Sequence, residues 1–418
     1  MLLFIIYYLT SPIIFILLLI ISPFNKKIKK ALLQQQKSIQ KIKPNLETHK
    51  KKIIIHAASA GEYEQIKPLL KIIDRNAYFI ILTCMSPTIY QSIKADELSD
   101  VFCYHLFDFP WNAKKFFKTT SPLIYLTTRH DIWPTHLYIA KKMNIKTIII
   151  NANLYQNSKR LKWYSKNFTK YIFNLFDLIT VPSKSIKTIF NNKLQINDTH
   201  IIPDTRFEQV THRKKESNGI PELELIGKNN IIFGSIGWKD LEIISSILEK
   251  SIDFHNLISS LIIVPHEVEP KLIKKIESIC KKSKLFNNVI KLSNFKKKSN
   301  YQTIIIDKVG ILPELYKYSK IAYIGGGFEN GAHSTIEPLI YNNIVCYGPN
   351  IDILDEAKEM SEKGCGFIVN NAKEMNDLIK ESLNNSNFQM SYLKNIKHYM
   401  DKKEGSSEKI YQIIEKYA

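Results

Sequence analysis

Six segments carry residues whose types and spacing suit chemistry on a small anionic or hydroxylic substrate. HAASAGEYEQIKP, His56 to Pro68, leads from an apolar strand at Ile53 to Ile55 into an amphipathic helix, with Glu62 in that helix's first turn. A carboxylate so placed can take a proton from a substrate hydroxyl as a general base. The plain alternative is that Glu62 only complements the helix dipole, worth about 0.3–1 kcal/mol. TTRHDIWPTH, Thr127 to His136, follows the strand pattern LIYLT, so Arg129, His130 and Asp131 fall at a strand's carboxyl end, where open α/β sheets bind ligands. A solvated charged loop would look the same. In DTRFE, Asp204 to Glu208, Arg206 has the planar fork to clamp a carboxylate or phosphate, or to make a surface ion pair.

The second half of the chain carries a glycine run, IGGGFENGAHSTIEP, Ile324 to Pro338, directly after the strand pattern IAYI. Gly325, Gly326 and Gly327 would let backbone approach a ligand, and the pattern predicts a helix whose N-terminal amides face an anion, phosphate being the natural one. A tight turn without a ligand is the competing reading. VPHE, Val264 to Glu267, ends a strand, and KVGILPELY, Lys308 to Tyr316, opens a helix; both can lend amides or polar tips to a nucleotide pocket, although His266 alone suits a structural role as well. Glu337, four residues after His333 on the expected helix, suits the two hydroxyls of a ribose. The same pair would suit a metal, but no third ligand stands at sensible spacing, so neither metal nor other cofactor is expected. One ligand-facing turn in each half suggests two similar domains facing a cleft.

The elements that position these residues follow from hydrophobic runs. IIIHA, YFIILTC, VFCYHL, LIYLT, KTIIIN and LITV read as buried strands separated by helix-length segments, which argues for a parallel sheet covered on both faces. A polar stretch from Thr211 to Asn230 breaks the pattern and is the linker candidate. Alternation restarts with IIFGS, LIIVP, TIIID, IAYIGG and IVCYG, a second α/β domain. At 418 residues the chain exceeds what one core usually supports. The expected organisation is 1–30 membrane anchor and basic flank, 31–215 and 222–400 two Rossmann-like domains, and 401–418 a helix that possibly crosses back.

Leu2 to Ile21 is uncharged, mainly apolar and long enough to span about 30 Å of hydrocarbon. No basic n-region or small-residue cleavage site marks it as a signal. Lys26, Lys27, Lys29 and Lys30 follow it, which by the positive-inside rule leaves the bulk of the chain cytoplasmic. Ser11-Pro12 weakens the middle of the helix, so an interfacial seat competes with a full crossing. A Lys cluster also lies at Phe295 to Lys298. The net charge of +20 implies attraction to polyanions: nucleic acid, an anionic lipid surface or a phosphorylated substrate. Dispersed lysines and aromatics placed in strand patterns argue against nucleic acid. Five cysteines without a C-x-x-C pair suit a reducing compartment. The glycine fingerprints of dinucleotide redox enzymes, P-loop NTPases and α/β hydrolases are missing.

In chain order, HAASAGE, the D-x-W-P segment, INANLYQNSKR (Ile150 to Arg160), DTRFE, FGSIGW (Phe233 to Trp238), LIIVPHE, DKVGILPELY, GGGFENGAHSTIEP and YGPN (Tyr347 to Asn350), behind an N-terminal anchor, resemble the Kdo transferases. These are membrane-anchored glycosyltransferases that add 3-deoxy-D-manno-octulosonate (Kdo) to a lipid A precursor in lipopolysaccharide biosynthesis. The resemblance implies a GT-B fold of two Rossmann-like domains, the lipid acceptor served by the first and CMP-Kdo by the second, at the inner membrane's anionic surface. It implies Glu62 as catalytic base, Asp131 as a second acid, and Arg206 as a transition-state cation. It also implies CMP contacts at Pro265 and His266, at Val309, Gly310 and Ile311, and at Ser334, Thr335, Ile336 and Glu337. Departures are His266 for arginine, Ile311 for glutamate, and Arg129 and His130 in a segment usually more acidic. The mechanism it implies is inverting and metal-independent, with the leaving phosphate met by the helix after the glycine run and by Arg206. A UDP-sugar transferase or epimerase of similar fold, or a non-catalytic membrane-bound polyanion binder, are the alternatives.

Overall fold

The computed structural model describes residues 2–43, 46–86, 90, 98–224, 226–249, 256–296 and 301–417, with backbone alone at 27, 31 and 36. Lys297 and Lys298 of the lysine cluster therefore lie outside the described residues, as does the side chain of Lys27. The chain forms two units: Met1–Gln209 with Lys403–Ala418, and Val210–Lys402. Each is a Rossmann-like α/β layer, the pair of folds found in enzymes of the GT-B type.

Unit 1 contains α1 (Leu2–Ile21), α2 (Lys26–Ile42), β1 (Lys51–His56), α3 (Ala60–Ile72), β2 (Tyr78–Cys84), β3 (Val101–Tyr104), α4 (Pro110–Thr120) and β4 (Ile124–Thr128). It continues with α5 (Pro134–Lys142), β5 (Lys146–Ile150), α6 (Lys166–Phe173), β6 (Leu178–Val181), α7 (Lys184–Ile189), β7 (His200–Ile201) and the start of α8 (Arg206–Glu216). Its seven strands run parallel in the order β3-β2-β1-β4-β5-β6-β7. Alternate residues of one strand face opposite cores: Ile54 joins Phe79, Tyr125 and Phe117 on one side, while Ile53 and Ile55 join Ile80, Leu126 and Tyr63 on the other.

Unit 2 runs β8 (Asn230–Ile236), α9 (Asp240–Glu249), β9 (Ser260–Pro265), α10 (Pro270–Lys281), β10 (Val289–Lys291), β11 (Thr303–Ile305), α11 (Leu312–Leu315), β12 (Ile321–Ile324) and β13 (Ile344–Tyr347). It ends with α12 (Asp355–Glu362), β14 (Phe367–Ile368), α13 (Ala372–Asn384) and α14 (Ser386–Asp401). The parallel order is β10-β11-β9-β8-β12-β13-β14. The last helix, α15 (Ser406–Tyr417), belongs to unit 1, where Ile410 and Ile414 complete the core over β1 and α3.

Two expectations need correction. Thr211 to Glu216, read as the start of a polar linker, continues α8; Arg213, Lys214 and Lys215 sit in its last turn, where positive charge favours a helix end. More consequentially, no helix follows the glycine run. Residues 325–330 form turns, 331–335 have no regular structure, and a short 3₁₀ helix occupies Pro338–Tyr341. The amides there bond across the fold: Ala332 N–H donates to Asn350 O at 3.0 Å and His333 N–H to Gly325 O at 3.1 Å.

Helix α1 passes through Pro12 unbroken. Proline at position 12 cannot donate to the carbonyl of Tyr8, and Ser11 Oγ donates to that carbonyl instead, at 2.6 Å. One face of α1 is seated on unit 1, with Phe4 buried against Tyr138 and Tyr171 and Tyr7 Oη donating to Asp108 Oδ2 at 2.8 Å. The other face, including Ile13, Leu17 and Ile20, is exposed and apolar. By length and composition this is a helix that could cross a membrane.

Candidate active site

In unit 1, β1 pairs with β2 on one side and β4 on the other, so the sheet's strand order reverses between β1 and β4. The loops leaving the two carboxyl ends diverge there, the place where doubly wound sheets open a crevice. Glu62 follows β1 and Asp131 follows β4.

Glu62 is locked in a capping box. Ser59 N–H and Oγ donate to its Oε2 at 2.9 and 3.1 Å, and its own amide donates to Ser59 Oγ at 3.4 Å. The capping role is therefore present, and Oε1 is left without a hydrogen bond among the described residues. Burial, then the charge of Asp131, raises its pKa above the ordinary 4.5, against the opposing pull of Ser59 and His56. A carboxylate fixed in orientation and made more basic is what a general base requires.

Asp131 rests against a histidine layer. The fully buried His56, last residue of β1, presents Nε2 to Asp131 Oδ2, and Asp131 is 17% exposed on its open side. His105 packs beside His56 with ring centroids 4.3 Å apart and planes tilted 49°, and His136 lies beyond His105 at 4.5 Å. Trp133 closes the edge, stacked on His105 at 4.9 Å. His136 Nδ1 meets Asp108 Oδ1 at 2.8 Å, which anchors the far end of the layer.

Three arginines surround the opposite rim. Arg206 opens α8 and donates through Nε to Asp204 Oδ2 at 2.9 Å, while Asp204 Oδ1 accepts from Arg206 N–H at 2.8 Å and from Gln65 Nε2, on α3, at 2.6 Å. Burial alone would raise Asp204, but Arg206 and then Arg129 hold it below the ordinary 3.8. The helix that carries Glu62 is thereby tied to the ion pair that fixes Arg206. Arg160, in the loop after β5, donates from Nη2 to His130 O at 2.7 Å. The protein packed around the His130 ring, then Arg129 and Arg160, pushes that imidazole down to about 4. His130 is thus neutral at physiological pH and the local positive charge is guanidinium.

In unit 2 the strand order reverses between β8 and β12. His266, just past Pro265 at the end of β9, stacks on His333 with centroids 4.1 Å apart and planes 10° from parallel; its Nδ1 lies 2.8 Å from Ser235 Oγ. Burial, then His266, lowers the pKa of His333. Val309 is exposed, and Gly310 takes a left-handed φ of 83° before Ile311 and α11. Of the Ser334 to Glu337 group, Thr335 and Ile336 are interior, so their side chains pack instead of facing a ligand, whereas Ser334 and Glu337 are half-buried.

The glycine run also differs from its expected role. A Cβ on Gly325 would stand 2.4 Å from Ser235 O, and one on Gly327 would stand 2.5 Å from Gly348 N, so these glycines let backbones touch. Gly325 N–H donates to Gly234 O and Gly326 N–H to Asp240 Oδ2, both at 2.9 Å. These two amides are spent within the fold, and no helix N-terminus stands behind them to meet a phosphate. His56, Arg160, Asp204 and Asp240 are site residues that sequence reading did not single out. His56 is the last residue of β1, and that position at a strand's carboxyl end was the available signal; Arg160 lies ten residues past the end of β5 and carried no such signal.

Residues 30–209 match the family model described as 3-deoxy-D-manno-octulosonic-acid transferase (kdotransferase). A 3-deoxy-D-manno-octulosonic acid transferase of Aquifex aeolicus is 28% identical over 350 residues, 82% of this chain and 88% of that protein. Its namesake from Chlamydia trachomatis serovar A is 24% identical over 374 residues, covering 86% and 84%. Among solved structures, S. aureus MnaA with UDP aligns over 88% of this chain and 96% of its own, with a TM-score of 0.61 at 14% identity, a likeness of fold.

Proposed function

From this similarity to the Kdo transferases, we propose that the chain is a glycosyltransferase of that family and that it moves Kdo from CMP-Kdo to a hydroxyl of a lipid A precursor with inversion. Glu62 takes the hydroxyl proton as that oxygen bonds to the anomeric carbon of Kdo. The bond from that carbon to the CMP phosphate oxygen breaks, its electron pair leaving with CMP. Single displacement inverts the anomeric centre and needs no nucleophilic side chain. In this reading Arg206, with Arg129 and Arg160, supplies positive charge toward the groups that carry negative charge in the transition state.

The observation that carries the proposal is the Glu62 carboxylate: held by Ser59, raised in basicity by burial and Asp131, and set where the sheet order reverses. For the donor we propose unit 2, with His266, His333 and Ser235 at the ends of its strands in place of the packed glycine corner. Helix α1 and the basic start of α2 would hold the enzyme at the anionic surface of the inner membrane, each basic side chain near that surface contributing about 1 kcal/mol. The catalytic units then lie on the cytoplasmic side. The reaction as proposed uses no metal or other cofactor.

Incubation of the purified protein with CMP-Kdo and tetraacyl lipid A precursor, with EDTA present, should add 220 mass units per Kdo transferred, on the order expected for one sugar less water. CMP, and not UDP, should raise the melting temperature. Transfer from a UDP-sugar, or no transfer at all, would overturn the reading.

A further inference from the structure

The carboxyl end of β1 holds a histidine that the reaction as written does not use. His56 is paired in register with Thr83 of β2 and Thr127 of β4, so it sits in the seam where the strand order reverses. It is fully buried, and its Nε2 meets Asp131 Oδ2 in an ion-pair contact; both atoms are buried and neither makes a hydrogen bond among the described residues. We propose that His56 is a positioning residue for the transfer: it braces the Asp131 carboxylate beside Glu62 through an Nε2–H that its neighbours enforce.

The tautomer follows from the partners. Nδ1 lies 2.8 Å from Thr83 Oγ1, and that hydroxyl's alternative acceptor, Ile55 O, is 3.5 Å away. The Asp131 carboxylate at Nε2 is an acceptor only, so the ring proton belongs on Nε2 and Thr83 is the donor to Nδ1. His105 supports the same state from below. Its Nδ1 is 2.8 Å from the Leu106 carbonyl, an acceptor only, and its Nε2 is 2.9 Å from Tyr125 Oη. Both nitrogens of a neutral ring are thereby satisfied, and burial, then His56 and His136, keeps His105 from charging. A neutral imidazole packed at 4.3 Å, its plane tilted 49°, supports His56 without a competing charge.

Turning Asp131 away would give up this contact and leave the buried ring nitrogen facing nothing polar, a cost that fixes its orientation. Its charge acts in turn on Glu62, the second cause of that group's raised basicity. The titratable and charged groups around the pair are Glu62 on α3, Arg160 after β5, His105 after β3 and Tyr125 on β4. Of these, Arg160 interacts with the Asp131 charge. The logic is that of an acid, a histidine and a reacting group acting through one another, although here the acid stands between the histidine and the base.

Two variants separate bracing from mere packing. His56→Gln carries its amide to the place of Nε2 and should keep bracing, whereas His56→Asn reaches only the place of Nδ1. The inference rests on the Kdo-transfer reading, and wild-type activity in the same assay reports that reading by itself. Expected for His56→Asn is a fall in kcat of about tenfold or more, an unchanged KM for CMP-Kdo, and an acidic limb of the kcat profile displaced from its wild-type position, since both Asp131 and His56 act on Glu62. His56→Gln should recover most of both, and His56→Asn in an Asp131→Asn background should change nothing further. Equal kcat and pH profiles for His56→Asn and wild type, or full additivity with Asp131→Asn, would overturn the proposal. Independently of turnover, ¹⁵N NMR of the imidazoles should show the Nε2–H tautomer at His56; an Nδ1–H tautomer overturns it even if the wild type proves inactive.

Discussion

Asp240 Oδ2 accepts the amide of Gly326 at 2.9 Å, so an acidic side chain of the protein occupies the glycine corner where a phosphate was expected. The same oxygen accepts from Gly237 N–H at 2.8 Å, and Oδ1 accepts from Tyr323 Oη at 2.7 Å. Asp240 is fully buried, and it fastens the turn after β8 to the turn after β12. Asp240→Ala would strand these donors, at a cost on the order of 3 kcal/mol. Thermal and urea unfolding should show that loss, while Asp240→Asn, which keeps one acceptor oxygen, should lose less.

Glu62→Gln separates capping from catalysis. Glutamine can fill the third position of a capping box as glutamate does, so α3 should form normally. It cannot accept the hydroxyl proton, and kcat should fall by about 10²–10⁴-fold. Wild-type turnover by a well-folded Glu62→Gln protein would remove Glu62 from the role of base.

The raised pKa of Glu62 has a signed consequence for stability. A carboxyl whose folded pKa lies above its unfolded value contributes stability that is full below the unfolded value and lost as pH rises through the folded one. Ionised Glu62 is therefore a burden on the fold at neutral pH. The melting temperature of Glu62→Gln should equal or exceed that of wild type at pH 8, and any advantage should vanish as pH falls toward 4.

Much of this architecture was legible in the chain because buried parallel strands announce themselves as short apolar runs. KKIIIH and YFIILTC need no partner to be recognised. β7, β10 and β14 were not legible, being edge strands of two or three residues without an apolar run. Glu62 and Asp131 could be picked out because they follow recognisable strands. Arg206 could be named, but not the tie from Gln65 to its partner Asp204, since that contact joins residues 139 positions apart. The glycine run misled for a physical reason. Glycine permits close approach without saying to what, and here Gly327 meets the backbone of Gly348 and no helix follows.

His130 offers a spectroscopic check on the guanidinium rim. Held down to about 4, it stays neutral where an ordinary histidine begins to charge. Between pH 6.5 and 4 the unfolded chain takes up a proton that the fold refuses, so this residue's contribution to stability falls as pH drops through that window. NMR titration of wild type should place its midpoint near 4, and Arg160→Gln should move it upward, part of the way toward 6.5. A midpoint near 6.5 in the wild type would mean that the three guanidinium groups do not gather around this ring.

Gly61 and Gly327 make opposite demands on an added methyl group. A Cβ on Gly327 would lie 2.5 Å from Gly348 N and 2.6 Å from its Cα, so Gly327→Ala must push two loops apart and should lower the melting temperature markedly. A Cβ on Gly61 would meet nothing within 4 Å, and Gly61 lies in the first turn of α3 without a left-handed φ. Alanine is the better helix former by about 1 kcal/mol, so on stability grounds alone Gly61→Ala should be neutral or favourable. Nothing inside the fold explains a glycine there, and the space it leaves open adjoins Glu62. Gly61→Ala should therefore fold as well as wild type, yet transfer Kdo at least about tenfold more slowly, because its methyl group would stand where the acceptor hydroxyl must approach. Full activity in Gly61→Ala would show that the acceptor does not approach Glu62 over the start of α3.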